Sequence, residues 1–288
     1  MSTTYDVQWQ ADRFSEQRGR LRGVAYRMLG SLADAEDAVQ ETWIRFGRTD
    51  PATIENLGGW LTTAVSRVSL NMLRTRGRRA ETGLDGYVPD PVVHLDDVHD
   101  PEQEALLADA VGLALMVVLD ALSPAERVAY VLHDLFDVPF EEIATLLDRN
   151  EPATRKLASR ARQRVREASV EPDRDLAEQR AVVDAFFGAA RRGDLESLVG
   201  TLDPDVVLRA DRGAGQRLLL RGARTVASQA TMYADPTSVL RPVVVNGGAG
   251  VLVLRDEVPV SLMAFTVVGG KVVRIDAIGD AERLARIL

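Results

Sequence analysis

Apolar side chains recur every three to four residues over roughly the first 170 positions, a spacing that is typical of amphipathic helices. One such stripe ends at Gly30, where a helix is expected to stop. Ser31 or Asp34 can cap a second helix, and a third begins near Trp60. The first part of the chain is therefore predicted to be helical.

The helical pattern resumes at Pro101 and leads to a helix–turn–helix. Ser123-Pro124-Ala125-Glu126 has the composition of a capping box with proline at the first helical position. The next short helix is expected to turn four apolar residues inward: Phe140, Ile143, Ala144 and Leu147. On the helix after the turn, Leu157, Ala161 and Val165 form a narrow inward stripe, so the opposite side is free to enter a DNA groove.

The last block of the chain changes character. One long helix is predicted from Asp175 to Leu202. It is followed by six runs of strand composition: V-V-L-R-A, R-L-L-L-R, V-V-V-N, V-L-V-L-R, S-L-M-A-F-T-V-V and K-V-V-R-I-D-A-I. Asn246-Gly247-Gly248 and Gly269-Gly270 supply turns between some of the strands. A helix followed by antiparallel strands that wrap one face around it predicts an α+β domain.

The distribution of charge says more than the formal net charge of −8. Residues 83–105 contain seven acids and no lysine or arginine, and are predicted to be an acidic linker. Seven basic side chains crowd the second helix of the helix–turn–helix and the turn before it: Arg149, Arg155, Lys156, Arg160, Arg162, Arg164 and Arg166. A basic face in an acidic chain needs a polyanionic partner, and DNA is the obvious one.

Length and composition narrow the class of protein. A chain of 288 residues is expected to form two or three domains, and the lack of cysteine excludes disulfides and thiolate metal sites. No signal peptide and no apolar run of about eighteen residues is visible, which predicts a cytoplasmic protein without membrane contact. The His94–Asp100 stretch has metal-ligand side chains, but no regular element would hold them. No metal and no cofactor is expected.

Several long motifs resemble one known family. G-S-L-A-D-A-E-D-A-V-Q-E-T-W-I-R at residues 30–45, N-L-G-G-W-L-T-T-A-V-S-R-V-S-L-N-M-L-R at residues 56–74 and L-S-P-A-E-R-V-A-Y-V-L-H-D-L-F at residues 122–136 are similar to extracytoplasmic-function sigma factors of bacterial RNA polymerase. V-V-D-A-F-F-G-A-A-R-R-G-D-L-E-S-L at residues 182–198 resembles a SnoaL-like cone domain. The combination is similar to the SigJ type of sigma factor.

The resemblance implies a multidomain protein with two all-α sigma domains and an α+β cone-fold domain. Residues 1–82 correspond to sigma region 2, residues 106–168 to the helix–turn–helix region 4, and residues 175–288 to the SnoaL-like domain. Core RNA polymerase and promoter DNA are the implied partners. The implied polymerase-binding residues lie on the second helix: Asp34, Asp37, Gln40, Glu41 and Trp43.

The same resemblance assigns the promoter contacts. Residues on and before the third helix would bind the −10 element: Asn56, Arg67, Asn71, Arg74, Arg76, Arg78 and Arg79. The −35 element would meet the helix that follows the turn. Because recognition helices read bases with their N-terminal half, the base-reading candidates there are Thr154, Arg155, Lys156 and Ser159. Phosphate contacts are assigned to Arg160, Arg162, Arg164 and Arg166.

Some positions depart from the family pattern. Arg67 stands where many simpler members carry asparagine, so the identity of the −10 bases does not carry over. The linker's usual Trp-Leu-Pro-Glu-Pro motif is reduced to Val88-Pro89-Asp90-Pro91. In the last domain, residues 211–215 replace an Asp-Gly-Gly-Gly motif and residues 279–282 an Asn-Pro-Asp-Lys motif. These losses put the subgroup's regulatory contacts in question, but not its architecture.

The role of the last domain has two readings. It either contacts the sigma domains and regulates them, with a possible small-molecule pocket at Arg209, Asp211 and Asp276, or it is an isomerase or cyclase fused to a sigma module. An isomerase of this architecture needs a carboxylate base and a tyrosine hydroxyl from the long helix. Asp211 could be the base, but residues 175–202 contain no tyrosine. A regulatory, non-enzymatic domain is therefore predicted.

Overall fold

The computed structural model describes residues 3–79, 88–95, 113–168, 172–214, 216–233 and 235–288. The chain divides into two compact units, Met1–Gly83 with Val118–Ala168, and Leu84–Val117 with Ser169–Leu288. None of the helices within these ranges has the length and apolar character that crossing a membrane requires.

The first unit is built of helices. In chain order the helices of this part are α1 (Thr3–Leu29), α2 (Leu32–Phe46), α3 (Leu57–Arg79), α4 (Leu113–Asp120, shared between the units), α5 (Pro124–Tyr130), α6 (Phe140–Leu147) and α7 (Glu151–Ala168). A 3₁₀ turn at Pro51–Thr53 precedes α3, and a π-helical stretch at Val131–Leu135 follows α5.

The predicted helix caps are confirmed. Gly30 has a φ of 70° after α1, the Ser31 hydroxyl accepts the Asp34 N–H, and Ser123 and Glu126 form the capping box of α5.

An aromatic cluster joins α1, α2 and α3. The ring of Trp43 lies 5.1 Å from that of Phe14 and 6.2 Å from that of Phe46, and Trp60 adds a fourth ring at 5.8 Å from Phe46. Such pairs stabilise beyond their buried area. The cluster fixes the direction of α2 relative to α3 and sets which side of each helix faces water.

The two helical parts predicted as separate domains pack against each other within this unit, and a buried arginine is part of that contact. Arg127 of α5 is only 3% exposed, forms an ion pair with Asp120 at 2.7 Å, and donates a hydrogen bond to the Met28 carbonyl at 2.9 Å. A buried guanidinium is tolerated only when it is paired and hydrogen-bonded. Arg127 therefore ties the helix–turn–helix part to the end of α1.

The second unit is an α+β domain. It contains β1 (Val93–Leu95), α8 (Leu176–Arg192), α9 (Leu195–Thr201), β2 (Leu202–Asp211), β3 (Arg217–Arg221), α10 (Ala223–Tyr233), β4 (Val239–Val245), β5 (Gly248–Arg255), β6 (Val258–Val268), β7 (Lys271–Ile278) and α11 (Ala281–Ile287). The strand order is β1-β4-β5-β6-β7-β2-β3. Helices α8, α9 and α10 cover one face of the sheet, whose core includes Phe186, Phe265 and Ile275. All six predicted runs form strands, and the predicted turns at residues 246–247 and 269–270 have positive φ.

The structure of this domain differs from the prediction in three details. The long helix is two helices, because Gly193 adopts a φ of 67° and Asp194 starts a new helix by accepting the Ser197 N–H. Helices α10 and α11 were not expected. The sheet is not fully antiparallel, since β2 runs parallel to β7, with Leu208 opposite Ile275.

Part of the predicted linker belongs to this domain. Val88, Pro89, Pro91 and Val92 are buried, and Val93–Leu95 pairs antiparallel with β4 at the sheet edge. Two further hydrogen bonds join Val92 and Asn246. Apolar side chains in an otherwise acidic segment explain the contact, because they gain by burial against the sheet.

Candidate nucleic-acid interface

Helix α7 presents most of its basic side chains to water. The turn before α7 contains Asp148, whose backbone is in the left-handed region. Asn150 then caps the helix, because its side-chain oxygen accepts the Ala153 N–H at 2.9 Å. From that fixed start, one exposed face carries Arg155, Lys156, Ser159, Arg160, Arg164 and Arg166. The face is free to follow a DNA backbone.

Three of the arginines are held by nearby groups. Arg155 contacts Glu151 at 2.5 Å and lies over the Phe140 ring at 4.7 Å. Arg162 is only half exposed and pairs with Asp134 at 2.5 Å. Arg164 pairs with Glu126 at 3.0 Å. These contacts orient the guanidinium groups and neutralise part of their charge.

Three other cations on α7 form no ion pair or hydrogen bond with any described residue: Lys156, Arg160 and Arg166. The positive charge of α7 also affects the pKa of Glu126. Burial alone would raise the pKa of Glu126, but hydrogen bonds from Ser123 and the charges of Arg164 and Arg160 outweigh it and hold that pKa below its usual value. The helix therefore has cations available for an external anion.

Thr154 contradicts the predicted base contact. Its side chain is fully buried, and its hydroxyl donates to the Asn150 carbonyl at 3.1 Å. The inward stripe of α7 consists of Thr154, Ala158, Ala161 and Val165, while Leu157 is only half buried. Thr154 therefore belongs to the helix packing and cannot reach DNA without unfolding this turn.

Helix α3 carries a second exposed polar face. Arg67, Asn71 and Arg74 are exposed at successive turns of the helix, and the Asn56 side chain caps its start by accepting the Gly59 N–H at 3.1 Å. The side chains of Arg76, Arg78 and Arg79 lie outside the described side chains. A shallow depression of about 340 Å³ borders this face, with a lining of Arg45, Val68, Asn71, Met72 and Thr75. The sequence pattern assigned Met72 to the core and did not single out Thr75.

Helix α2 offers an acidic and apolar stripe. Asp37 and Gln40 are exposed, Glu41 pairs with Arg45 at 3.0 Å, and Ile44 is 40% exposed. Asp34 lies in the first turn, half buried. Trp43 instead packs in the aromatic cluster. The sequence analysis did not identify Ile44. Its position could have indicated an exposed apolar side chain, because it lies seven residues, or about two helical turns, after Asp37.

In the second unit the three predicted pocket residues do not share a cavity. Asp211 lines a cavity of about 410 Å³ on the helix-covered side of the sheet, whereas Arg209 and Asp276 do not line it. They are partners on adjacent strands, with 3.9 Å between Arg209 Nη1 and Asp276 Oδ1. Burial raises the pKa of Asp276 to about 6, against the lowering effect of Arg209 and Arg274.

Arg283 of α11 is the centre of a junction that no sequence pattern indicated. Its guanidinium contacts Asp211 Oδ2 at 2.5 Å, pairs with Asp90 and donates to the Val88 carbonyl at 2.7 Å. Asp280 caps α11 and lies beside Gly213. The three motifs that depart from the family pattern thus meet around one side chain.

Comparison with known proteins gives a consistent result. The family models of Sigma-70 region 2 and Sigma-70 region 4 match residues 14–79 and 112–165. The ECF RNA polymerase sigma factor SigJ of Mycobacterium tuberculosis is 42% identical over 217 residues, which are 75% of this chain and 69% of SigJ. The probable ECF RNA polymerase sigma factor SigI of the same species is 33% identical over 269 residues, 93% of this chain and 92% of SigI. The crystal structure of M. tuberculosis SigJ matches with a TM-score of 0.74 at 35% identity, over 96% of this chain and 98% of that one.

Proposed function

We propose, because the chain belongs to the extracytoplasmic-function RNA polymerase sigma factors, that it directs bacterial RNA polymerase to promoters through three exposed helical faces. The observation that carries this proposal is the fixed helix–turn–helix, in which α7 buries a narrow stripe and exposes a row of cations. That arrangement is what a recognition helix in a major groove needs. Binding surfaces, and not covalent chemistry, perform this function.

In this proposal α7 reads the −35 element. Arg155, Lys156 and Ser159 lie in its N-terminal half and are exposed, so they are the base-reading candidates. Arg160, Arg164 and Arg166 lie further along and would contact phosphates, which position the helix without reading sequence. Arg162 contributes less, because Asp134 already binds it.

Helix α3 would meet the −10 element. Arg67, Asn71 and Arg74 give it two cations and one amide on a single exposed face. Asn71 borders the depression next to Met72 and Thr75, which has room for part of an unstacked base. Amide and guanidinium groups beside an apolar wall can hold a base edge and its flanking phosphate.

Helix α2 would bind core polymerase. Asp37, Gln40 and Ile44 form its exposed stripe, and a carboxylate beside an apolar side chain suits a basic helical surface. Asp37→Arg and Ile44→Ala should each weaken co-purification with core polymerase by tenfold or more. Glu16→Arg, on the exposed part of α1, is the matched control and should bind as wild type. If Asp37→Arg and Glu16→Arg bound equally well, this surface would not be the polymerase site.

The C-terminal domain would regulate the sigma part by holding the linker. Residues 88–95 are bound to the sheet domain through burial, strand pairing and the Arg283 ion pairs. A linker that is bound to the sheet domain is not available to polymerase. Releasing the linker should therefore increase transcription from the promoter. Arg283→Ala is expected to increase transcription several-fold in a reaction with purified core enzyme.

Arg286→Ala, a basic change on the exposed side of α11, is the control for this experiment and should leave transcription unchanged. Hydrogen exchange of residues 88–95 gives a separate readout, and should rise only in Arg283→Ala. Faster exchange without a change in transcription would contradict regulation through the linker. A truncation after Ala168 with unchanged promoter activity would contradict regulation by the whole domain.

The C-terminal domain would bind a ligand and not turn it over. The Asp211 carboxylate, the candidate base, already pairs with Arg283 and accepts the Gly213 N–H at 3.1 Å. A base must be free to take a proton at the reacting atom. The described lining of the cavity also holds no tyrosine or histidine that could stabilise an oxyanion. Wild type and Asp211→Asn should therefore both leave any bound compound chemically unchanged.

A further inference from the structure

The cavity beside α8 has the size and the walls of a small-molecule site. Its volume is about 410 Å³, within the range of roughly 300–1,000 Å³ that ligand pockets occupy. Its apolar lining includes Phe187, Leu208, Leu240, Val253 and Met263. All lining residues come from the second unit, so the site is complete within one domain.

One cation of the lining, Arg191, has no carboxylate partner among the described residues. Arg255 is neutralised by Asp235 at 2.9 Å, and Asp235 also accepts two hydrogen bonds from Thr237. Arg191 is different. It donates one hydrogen bond to the Ser238 carbonyl at 2.7 Å and has no carboxylate within ion-pairing distance among the described residues.

That hydrogen bond holds the Arg191 guanidinium at the cavity without cancelling its charge. A guanidinium has five N–H donors, and its planar fork matches a carboxylate. Arg191 lies in the last turn of α8, so the negative end of the helix dipole also favours its positive charge there. The remaining N–H groups of Arg191 are available to a ligand.

We propose that this cavity binds a hydrophobic monocarboxylic acid, with its apolar body against Phe187 and Met263 and its carboxylate on Arg191. The apolar walls take the body of the ligand, and Arg191 supplies a cation that can pair with one carboxylate. A neutral apolar compound would leave Arg191 without a carboxylate partner. The site requires neither polymerase nor DNA.

Fluorescence titration of the full-length protein with 1-pyrenebutanoic acid and with its uncharged methyl ester tests the proposal. Wild type should bind the acid at one saturable site and at least tenfold more tightly than the ester. Arg191→Gln keeps a donor for the Ser238 carbonyl but removes the charge. It should weaken binding of the acid about tenfold, equivalent to about 1.4 kcal/mol, and leave binding of the ester unchanged.

Ala230→Trp tests the location of the site, because Ala230 lines the cavity from α10 and a large ring there would fill it. Ser228→Trp, on the same helix but outside the lining and exposed, is the matched control. Binding of the acid should be lost in the first variant and kept in the second. Circular dichroism checks that Ala230→Trp folds, and Arg191→Gln tests the proposal without relying on that variant.

Three results would overturn the proposal. The acid would bind Ala230→Trp as well as wild type if the probe sat elsewhere. Equal affinities for acid and ester, together with no effect of Arg191→Gln, would show that Arg191 does not recognise the carboxylate. Absence of saturable binding would show that the cavity does not take this class of ligand. None of these results bears on the sigma function, which is measured with polymerase.

Discussion

The basic face of α7 allows a quantitative prediction, because the structure separates cations that are free from cations that are already paired. Arg160 forms no ion pair or hydrogen bond with a described residue, whereas Arg164 lies 3.0 Å from Glu126. Each phosphate contact releases condensed counterions and contributes about 0.9 to the slope of log affinity against log salt. Arg160→Ala should therefore reduce that slope by nearly one.

The expected difference in the salt dependence of DNA affinity is large enough to measure between 50 and 200 mM salt. A slope difference of about 0.9 means that, between 50 and 200 mM salt, wild type loses about 3.5-fold more affinity than Arg160→Ala. Arg164→Ala should reduce the slope by clearly less, because Glu126 already neutralises part of the Arg164 charge. It should also lower the free energy of unfolding by on the order of 0.5 kcal/mol, a small value because water screens the half-exposed guanidinium.

The assay is the fluorescence anisotropy of a labelled promoter duplex with the reconstituted holoenzyme, titrated at several KCl concentrations. Comparing slopes between variants cancels every contact that they share. Gln163→Ala, an exposed and uncharged neighbour, should keep the wild-type slope. Equal slope changes in Arg160→Ala and Arg164→Ala would refute the distinction between free and paired cations. A wild-type slope in Arg160→Ala would refute the phosphate contact.

Two further predictions concern stability. Burial raises the pKa of Asp276 to about 6, so its protonated form stabilises the fold; that stability is full below its unfolded pKa near 4 and is lost as the pH rises through 6. Between pH 5 and pH 7.5 the free energy of unfolding in urea should therefore fall by about 1 kcal/mol more for wild type than for Asp276→Asn, and parallel pH profiles would contradict the assignment. A Cβ at Gly250 would overlap Val245 and lie 3.0 Å from the Met263 carbonyl, whereas one at Gly200 would meet nothing within 4 Å. Gly250→Ala should thus cost about 1–3 kcal/mol in chemical denaturation, and Gly200→Ala should be neutral or stabilising; equal effects would contradict this reading.

Local signals in the sequence were sufficient for the elements that depend on neighbouring residues. The capping box at Ser123 and Glu126 and the turn at Asn246-Gly247 are set by three or four positions, and the structure confirms both. Strand runs rich in valine and leucine were recognisable because both their composition and their turns agree. The break at Gly193 was missed because the apolar spacing continues through it.

The N-terminal part of the α7 stripe could not be predicted from composition alone. Ala161 and Val165 are buried as predicted, but the N-terminal part of the stripe consists of Thr154 and Ala158, where Leu157 was expected. Thr154 resolves the phase, because its hydroxyl is satisfied by the Asn150 carbonyl and it can therefore be buried. A buried threonine and an exposed threonine look the same in a sequence.

Contacts between distant segments were beyond the sequence reasoning. Strand β1 has three residues, and its partner β4 lies about 150 positions later in the chain, so no local periodicity marks the pair. Arg283 is likewise one of many arginines until the fold places it between Asp90 and Asp211. The motifs around Arg283 differ from the family pattern, yet Asp90 and Asp211 from two of them both pair with it. Sequence composition could not show that these residues are in contact.

Asp211 belongs to both the cavity and the linker junction, and this links the two proposals. Asp211 borders the cavity, and its carboxylate pairs with Arg283, which also pairs with Asp90. A bound acid could change the equilibrium constant for binding of residues 88–95 to the sheet domain by some factor. Thermodynamic reciprocity then requires that release of these residues change the affinity for the acid by the same factor. The affinity of Arg283→Ala for 1-pyrenebutanoic acid, set against that of Arg286→Ala, measures this factor without polymerase. An unchanged affinity would mean that the cavity and the linker junction are independent, even though both use Asp211.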